Sequence, residues 1–270
     1  MPTPQLVTIQ CVPRSGSSWL GQIFRSSPEV VFRFQPLFSY AFKGRLGPNS
    51  SREEILQFFQ DIRGTDDDFV LQRDRSIHVD YPVIPERMDA SHTVMKEVRF
   101  NNIVRNLVEQ VPELKVIGLV RHPCAVIDSW INAPREFKPE WDIKEEWRSG
   151  AKKNLDRPEE AFGFDKWKEV AQLFVDLEQE RPDQVKVVQY THLNADPKVV
   201  VADLFRFCGL IFGAPTIDFI DQSRSKEGSD ANSIYRTVRD DVAWKERLPK
   251  HIADTILAEV GAGPLSRFLI

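Results

Sequence analysis

Five short runs of buried-type residues punctuate the chain, at residues 7–12, 28–34, 93–98, 115–120 and 185–190. Val, Ile and Thr recur in them, which suits strands. The run Lys115-Val116-Ile117-Gly118-Leu119-Val120 is nearly continuous in apolar residues, as strands buried on both faces are. Between the runs the apolar residues fall at helical spacing. Leu20, Ile23 and Phe24 follow the first run, and Ile55, Leu56, Phe58, Phe59 and Ile62 lie within residues 50–65. Ile103, Leu107 and Val108 follow the third run, and Cys124 to Trp130 start a helix after the fourth. Phe162, Trp167, Val170, Leu173, Phe174 and Leu177 mark a long helix over residues 158–181, and Val200, Leu204 and Phe207 another that Gly209 stops. Strands alternating with helices predict an α/β fold: a mostly parallel central sheet, right-handed crossovers, and a site at the C-terminal strand ends. The pattern fits a single domain over residues 1–270, with charged insertions at about 38–92 and 134–157. The second insertion carries Trp141 and Trp147 and reads as a surface excursion.

Composition narrows the function classes. The chain has 270 residues, 41% hydrophobic and 28% charged, as a globular enzyme does. A net charge of −4 gives no nucleic-acid footprint. No apolar run can span a bilayer, and the first residues lead into a strand without a signal-peptide core, so a cytoplasmic protein is expected. Three widely spaced cysteines form neither a disulfide framework nor a zinc site, and Asp66-Asp67-Asp68 lacks the spacing of a calcium loop; no metal is expected.

The chemistry concentrates after the first strand, in Pro13-Arg14-Ser15-Gly16-Ser17-Ser18-Trp19-Leu20. Proline ends the strand, Gly16 lets the turn close, and Ser17 or Ser18 is expected to cap the next helix. Such a turn aims backbone N–H groups and the positive end of a helix at one anion. Arg14 and the hydroxyls of Ser15, Ser17 and Ser18 add charge and donors. A nucleoside-triphosphate loop would carry Lys where Ser17 stands. A cysteine phosphatase would need Arg at position 17 to serve Cys11, and Ser is there.

A second junction repeats the theme. Arg121-His122-Pro123 ends the fourth strand and opens a helix, with Ser129 eight residues after Arg121. An Arg at a strand end and a Ser on the next helix can converge on one phosphate. An NTPase would place a magnesium-binding aspartate after such a strand. Together the two junctions resemble the sulfotransferases that use 3′-phosphoadenosine-5′-phosphosulfate (PAPS), nearest the carbohydrate-type O-sulfotransferases. The first motif of that family, P-[KR]-[ST]-G-[ST]-[ST]-W/F-L, is matched at every position; the second is strand, Arg-x-Pro, then a helix with the serine. The resemblance implies a P-loop-like sulfotransferase fold, PAPS as sulfuryl donor, no metal, and an acceptor with a free hydroxyl, a carbohydrate or small metabolite. It assigns Arg14, Ser15, Gly16, Ser17, Ser18, Trp19, Arg121, Ser129 and, in a basic loop before Trp244-Lys245, Arg236 to the nucleotide. It puts Lys96, on the third strand, beside Arg14 at the transferred group. Tyr190-Thr191-His192-Leu193 resembles a segment that is mainly structural in the family.

The base is where the sequence departs from the family. Gln35 stands where carbohydrate enzymes have Glu before Pro-Leu, and Val98 where cytosolic members have His. Glu97 becomes the nominal base, with His78, Asp80 and His92 on the first insertion as rivals. The aromatic run Phe38, Tyr40 and Phe42 reads either as packing or as a wall of the acceptor groove. Two other functions stay open on the residues: a P-loop kinase, and a catalytically inactive protein that binds PAPS or its product adenosine 3′,5′-bisphosphate (PAP).

Overall fold

A computed structural model describes residues 4–73, 82, 84–85, 87–226, 228, 233–235, 237 and 241–270. All five expected strands form, and all pair in parallel: β1 (Gln5–Gln10), β2 (Val30–Phe34), β3 (His92–Glu97), β4 (Lys115–Val120) and β5 (Val185–Gln189). Their order in the sheet is β2-β3-β1-β4-β5. The helices follow in chain order. Around the first three strands come α1 (Ser17–Arg25), α2 (Arg52–Arg63) and α3 (Val104–Gln110). After β4 come α4 (Pro123–Ile131), α5 (Ile143–Ser149), α6 (Ala151–Asn154) and α7 (Phe164–Glu180). Beyond β5 lie α8 (Tyr190–Ala195), α9 (Pro197–Cys208), α10 (Ala214–Ser225), α11 (Trp244–Arg247) and α12 (Lys250–Gly261).

The sheet separates two apolar layers. Val7, Ile9, Val94, Ile117 and Leu119 face one layer, filled by Leu20, Ile23 and Phe24 of α1 and Leu204 and Phe205 of α9. Leu6, Met95, Val116 and Val120 face the other, filled from α2, α3, α7 and α12 by Phe58, Leu107, Phe174 and Ile256. Alternation along each strand sorts the side chains between the layers, and each large apolar side chain so buried contributes about 1.5–3 kcal/mol. Gly118 lies where α7 comes closest. A Cβ there would meet Phe174 at 2.7 Å.

The element ends carry local signals. Ser51 and Glu54 make a reciprocal capping box on α2. At the other end of α2, the buried Arg33 guanidinium donates to the carbonyls of Ile62 and Arg63, a cation at the negative end of the helix. One face of α2 therefore belongs to the core: Ile55, Phe58, Phe59 and Ile62 are all buried. Trp147, expected on a surface excursion, is also buried, stacked on Phe164 with centroids 5.8 Å apart. Its neighbours Phe137, Phe162 and Trp130 form an aromatic cluster that draws this segment inward. Among the described residues, no helix is long and apolar enough to cross a membrane.

Gly118→Ala should destabilise the protein by about 1–3 kcal/mol through overpacking against Phe174. Chemical unfolding would measure this, and adding Phe174→Leu should recover part of the loss.

Candidate functional site

The strand order fixes where a ligand can enter. From β1 the chain crosses to one side of the sheet, and from β4 to the other. A crevice opens between diverging connections of this kind, at the C-terminal strand ends. Both candidate junctions border it.

The β1–α1 turn is bent by two left-handed residues, Arg14 at φ 70° and Gly16 at φ 86°. Positive φ is costly for arginine, and such strain collects at functional sites. Gly16, not Ser17 or Ser18, precedes the helix, and no side chain caps it. This corrects the expected serine cap: the left-handed glycine starts the helix one residue early, so both serines fall within its first turn. The orphan N–H groups of an uncapped first turn are what an anion uses. Ser15 Oγ is buried with no hydrogen-bond partner. Asn101 Nδ2 fixes the start of the turn by donating to the Cys11 carbonyl at 3.2 Å.

The β4–α4 junction meets this turn directly. Arg121 Nη1 donates to the Arg14 carbonyl at 2.8 Å, and Arg14 Nε donates to Ser129 Oγ at 3.1 Å. Arg14 thus forms one cluster with Arg121 and Ser129, which lie more than 100 residues further along the chain. Trp167 Nε1 holds the Arg121 carbonyl at 2.9 Å from below. A segment from much further along covers the junction. Asp241 pairs with Arg121, Trp244 stacks on His122 at 4.7 Å and 21°, and Arg247 pairs with Asp128 of α4. Burial, then Arg121 and Lys245, push the His122 pKa down to about 4, so this imidazole stays neutral at pH 7.

Tyr190 is the residue that sequence reasoning undervalued. Its ring lies against Gly16, where a Cβ would come within 2.3 Å, and under the Arg121 guanidinium at 5.1 Å. It touches both junctions at once. The signals in the sequence were its place at the end of a strand and the resemblance of Tyr190-Thr191-His192-Leu193 to a segment taken as mainly structural.

Other expected residues sit less directly. Trp19 is buried and donates Nε1 to Ser223 of α10 at 2.9 Å, an anchor between helices. Lys96 is enclosed between α1 and the sheet, its ammonium 4.6 Å from the Phe34 ring. Burial lowers its pKa to about 8. His92 is not above the site. It opens β3 at the opposite edge of the sheet, bonded to the Cys208 carbonyl at 2.9 Å. It therefore drops out as a base, because a parallel sheet puts its strand starts a full strand length from its strand ends. His78, Asp80 and Arg236 lie outside the described residues.

Glu97 is fully buried, and its Oε1 accepts from the backbone N–H of Leu37 at 2.8 Å. It thus reaches the Gln35-Pro36-Leu37 turn from the neighbouring strand. Burial raises its pKa to about 8, against smaller opposing effects of the Leu37 bond, Lys96 and Arg99. Gln10 is its register partner on β1. Gln10 Oε1, Gln35 Oε1, Glu97 Oε2 and Asn101 Oδ1 are all buried without hydrogen-bond partners. The strand ends therefore carry unsatisfied amide oxygens together with the Glu97 carboxyl, which holds its proton below about pH 8. At their rim Phe38 is 47% exposed under the Arg99 guanidinium, and Tyr40 is fully exposed, whereas Phe42 is core.

The three cysteines are free and buried, and burial pushes the thiols of Cys124 and Cys208 up to about 12, as packing residues. A cavity of about 410 Å³ lies elsewhere, beyond the free edge of β5, and its charges are self-paired as Lys186–Asp203 and Arg267–Glu178.

The buried Glu97 gives stability a pH slope. Above its ordinary value of 4.5 the unfolded chain loses this proton, while the folded protein keeps it to about 8. The Lys96 shift acts only above about 8, so it does not oppose this trend. Urea unfolding should find wild type losing stability between about pH 5 and pH 8 relative to Glu97→Gln, in which that part of the slope is absent.

Comparison with known proteins bears on the crevice. Carbohydrate sulfotransferase 1 of Danio rerio is 24% identical over 312 residues, covering 92% of this chain and 74% of the zebrafish protein. A mouse sulfotransferase solved in complex with PAP shares the fold at a TM-score of 0.59 and 14% identity, over 98% of this chain and 87% of that one. A sulfotransferase from Alicyclobacillus acidocaldarius superposes at a TM-score of 0.51 and 14% identity, over 100% and 96% of the two chains. The sequence model of the sulfotransferase family matches residues 5–213, the span from β1 to the start of α10 that contains both junctions. The chain belongs to the sulfotransferase family, and it is an enzyme of sulfuryl transfer.

Proposed function

We propose that the protein moves the sulfuryl group of PAPS to a hydroxyl of a carbohydrate or small metabolite, without a metal, with the nucleotide held across the β1/β4 crevice. The observation that carries this is the joining of two anion-type junctions by the Arg121–Arg14 and Arg14–Ser129 hydrogen bonds. A donor with a phosphate at each end of a ribose needs two such places side by side. The mouse relative with PAP, and a retinol dehydratase of the same fold solved with retinol and PAP, support the choice of nucleotide.

In this reading the α1 N-terminus, Ser15, Gly16, Ser17 and Ser18 take the 5′ end, and Arg121 and Ser129 take the 3′-phosphate. Arg236 remains assigned to the nucleotide. Trp19 braces α1 from within. The acceptor oxygen attacks sulfur as the bond from sulfur to the bridging oxygen breaks, and that electron pair stays on the phosphate of the product. Arg14 and the loop N–H groups offset the charge that develops there, and Lys96 adds positive charge from beneath the loop. The unsatisfied amide oxygens of Gln10, Gln35 and Asn101 favour an acceptor rich in O–H donors, since each such atom left unpaired costs about 1–3 kcal/mol. Phe38 and Tyr40 offer faces for its apolar side. Glu97 takes the hydroxyl proton only in its ionised form, which burial confines to above about pH 8, and only once the Pro36–Phe38 turn gives access to it, because the carboxyl is enclosed by that turn. Three unpaired thiols suit a reducing compartment, in keeping with a cytoplasmic site of action.

A single-turnover assay with 35S-labelled PAPS and a panel of hydroxyl acceptors tests the reaction. Transfer of label supports it, while binding of PAP without transfer under any acceptor would favour the inactive binding protein, for which Gln35 and Val98 speak. Arg121→Ala should weaken PAP binding by about 10- to 100-fold, the worth of a charged hydrogen-bonded contact, and Ser129→Ala by less. Calorimetry reads both, and unchanged affinity in Arg121→Ala would contradict the placement of the 3′-phosphate.

A further inference from the structure

Arg121 is already engaged by the protein itself. Its Nε and Nη2 reach Asp241 Oδ1 at 2.6 and 2.5 Å, while Nη1 donates to the Arg14 carbonyl at 2.8 Å. All three guanidinium nitrogens therefore face a protein acceptor. The pair is largely shielded from water, with side chains 17% and 11% exposed. Asp241 lies 120 positions from Arg121 in the sequence. It is delivered by the start of α11, which the Trp244–His122 stack and the Arg247–Asp128 pair fix against α4.

A carboxylate oxygen shared by two nitrogens of the arginine fork is placed as a phosphate oxygen would be. Given the nucleotide reading above, on which this rests, we propose that Asp241 is an internal competitor for the anion subsite at Arg121 and so tunes how tightly donor and product are held: a nucleotide with a 3′-phosphate displaces its carboxylate, and one with a 3′-hydroxyl does not. The physical reason is charge. Breaking a shielded ion pair leaves a guanidinium uncompensated, and a hydroxyl cannot restore what the carboxylate gave. A phosphate near neutral pH brings more negative charge and three acceptor oxygens. When the product leaves, Asp241 refills the subsite. Arg121 then keeps its aim, and its bond to the Arg14 carbonyl keeps the β1–α1 turn in shape. Asp241 thus lowers affinity for donor and product alike while holding the site ready.

The test is calorimetric titration of the full chain with PAP and with adenosine 5′-monophosphate. The proteins are wild type, Asp241→Asn, Asp241→Ala and Arg121→Ala. Asp241→Asn preserves side-chain shape, and a thermal melt of each variant confirms the fold. Both Asp241 variants should bind PAP about 10-fold more tightly, with monophosphate affinity within about twofold of wild type. PAP affinity unchanged or weakened in a folded Asp241→Asn overturns the competitor role. So does an equal gain for both nucleotides, since the monophosphate has no 3′-phosphate to compete. Wild type that binds PAP, lost in Arg121→Ala but indifferent to Asp241, removes this proposal and leaves the nucleotide reading standing. Wild type that binds neither nucleotide ends both.

Discussion

The hydrogen bond from the Arg121 guanidinium to the Arg14 carbonyl is the constraint on which the rest of the site turns. It ties the chain leaving β4 to the chain leaving β1, two neighbouring strands whose connections diverge. It also sets two cationic side chains beside one another. Such a pair is stable only with anionic or acceptor groups nearby, and the structure supplies Asp241 to one and Ser129 to the other. The bent backbone of the turn, with a non-glycine residue at positive φ, is held by the same bond. An isolated loop would relax from that conformation; a loop whose carbonyl is gripped by a largely shielded guanidinium does not.

Around this bond the protein stacks supports of different kinds. Tyr190 fills the space that the missing side chain of Gly16 leaves and underlies Arg121. Trp167 fixes the Arg121 carbonyl, and Trp244 closes over His122. Aromatic side chains suit this work because they bury large area and lose little rotamer freedom, while the indole N–H still finds a partner. On the other flank of β1 the strand ends are polar: Gln10, Glu97 and Gln35 lie side by side with oxygens left unsatisfied. In the proposed reaction one flank of the crevice holds the anions of the nucleotide and the other meets the acceptor. A sulfuryl transfer between a phosphorylated nucleotide and a hydroxyl needs both.

In the proposed reaction the carboxyl has a different address from the Glu-Pro-Leu turn of the carbohydrate sulfotransferases that the sequence resembles. Position 35 is an amide, and Glu97 extends from β3 to bond the same turn through Leu37. A side chain on an adjacent parallel strand can reach nearly the same point, because paired strands lie only about 4.8 Å apart. The cost is enclosure, and Glu97 consequently holds its proton to about pH 8.

By itself the sequence determined the five strands, the helices that pack on them at clear apolar spacing, and the family. Strand and helix periods are local, so all five strands and their parallel arrangement could be read from apolar spacing. The motifs at Pro13 to Leu20 and Arg121 to Ser129 could be read for the same reason, since each lies within one strand-to-helix junction. Only the tertiary structure decided which distant residues meet. That Asp241 faces Arg121, that Tyr190 occupies the space beside Gly16, and that Glu97 serves the turn after β2 are matters of strand order and register, which no local spacing encodes. The same holds for His92, whose chemistry suggested a base. Its position as the first residue of β3 put it at the far edge, since in a parallel sheet direction along the strand decides which residues reach the crevice.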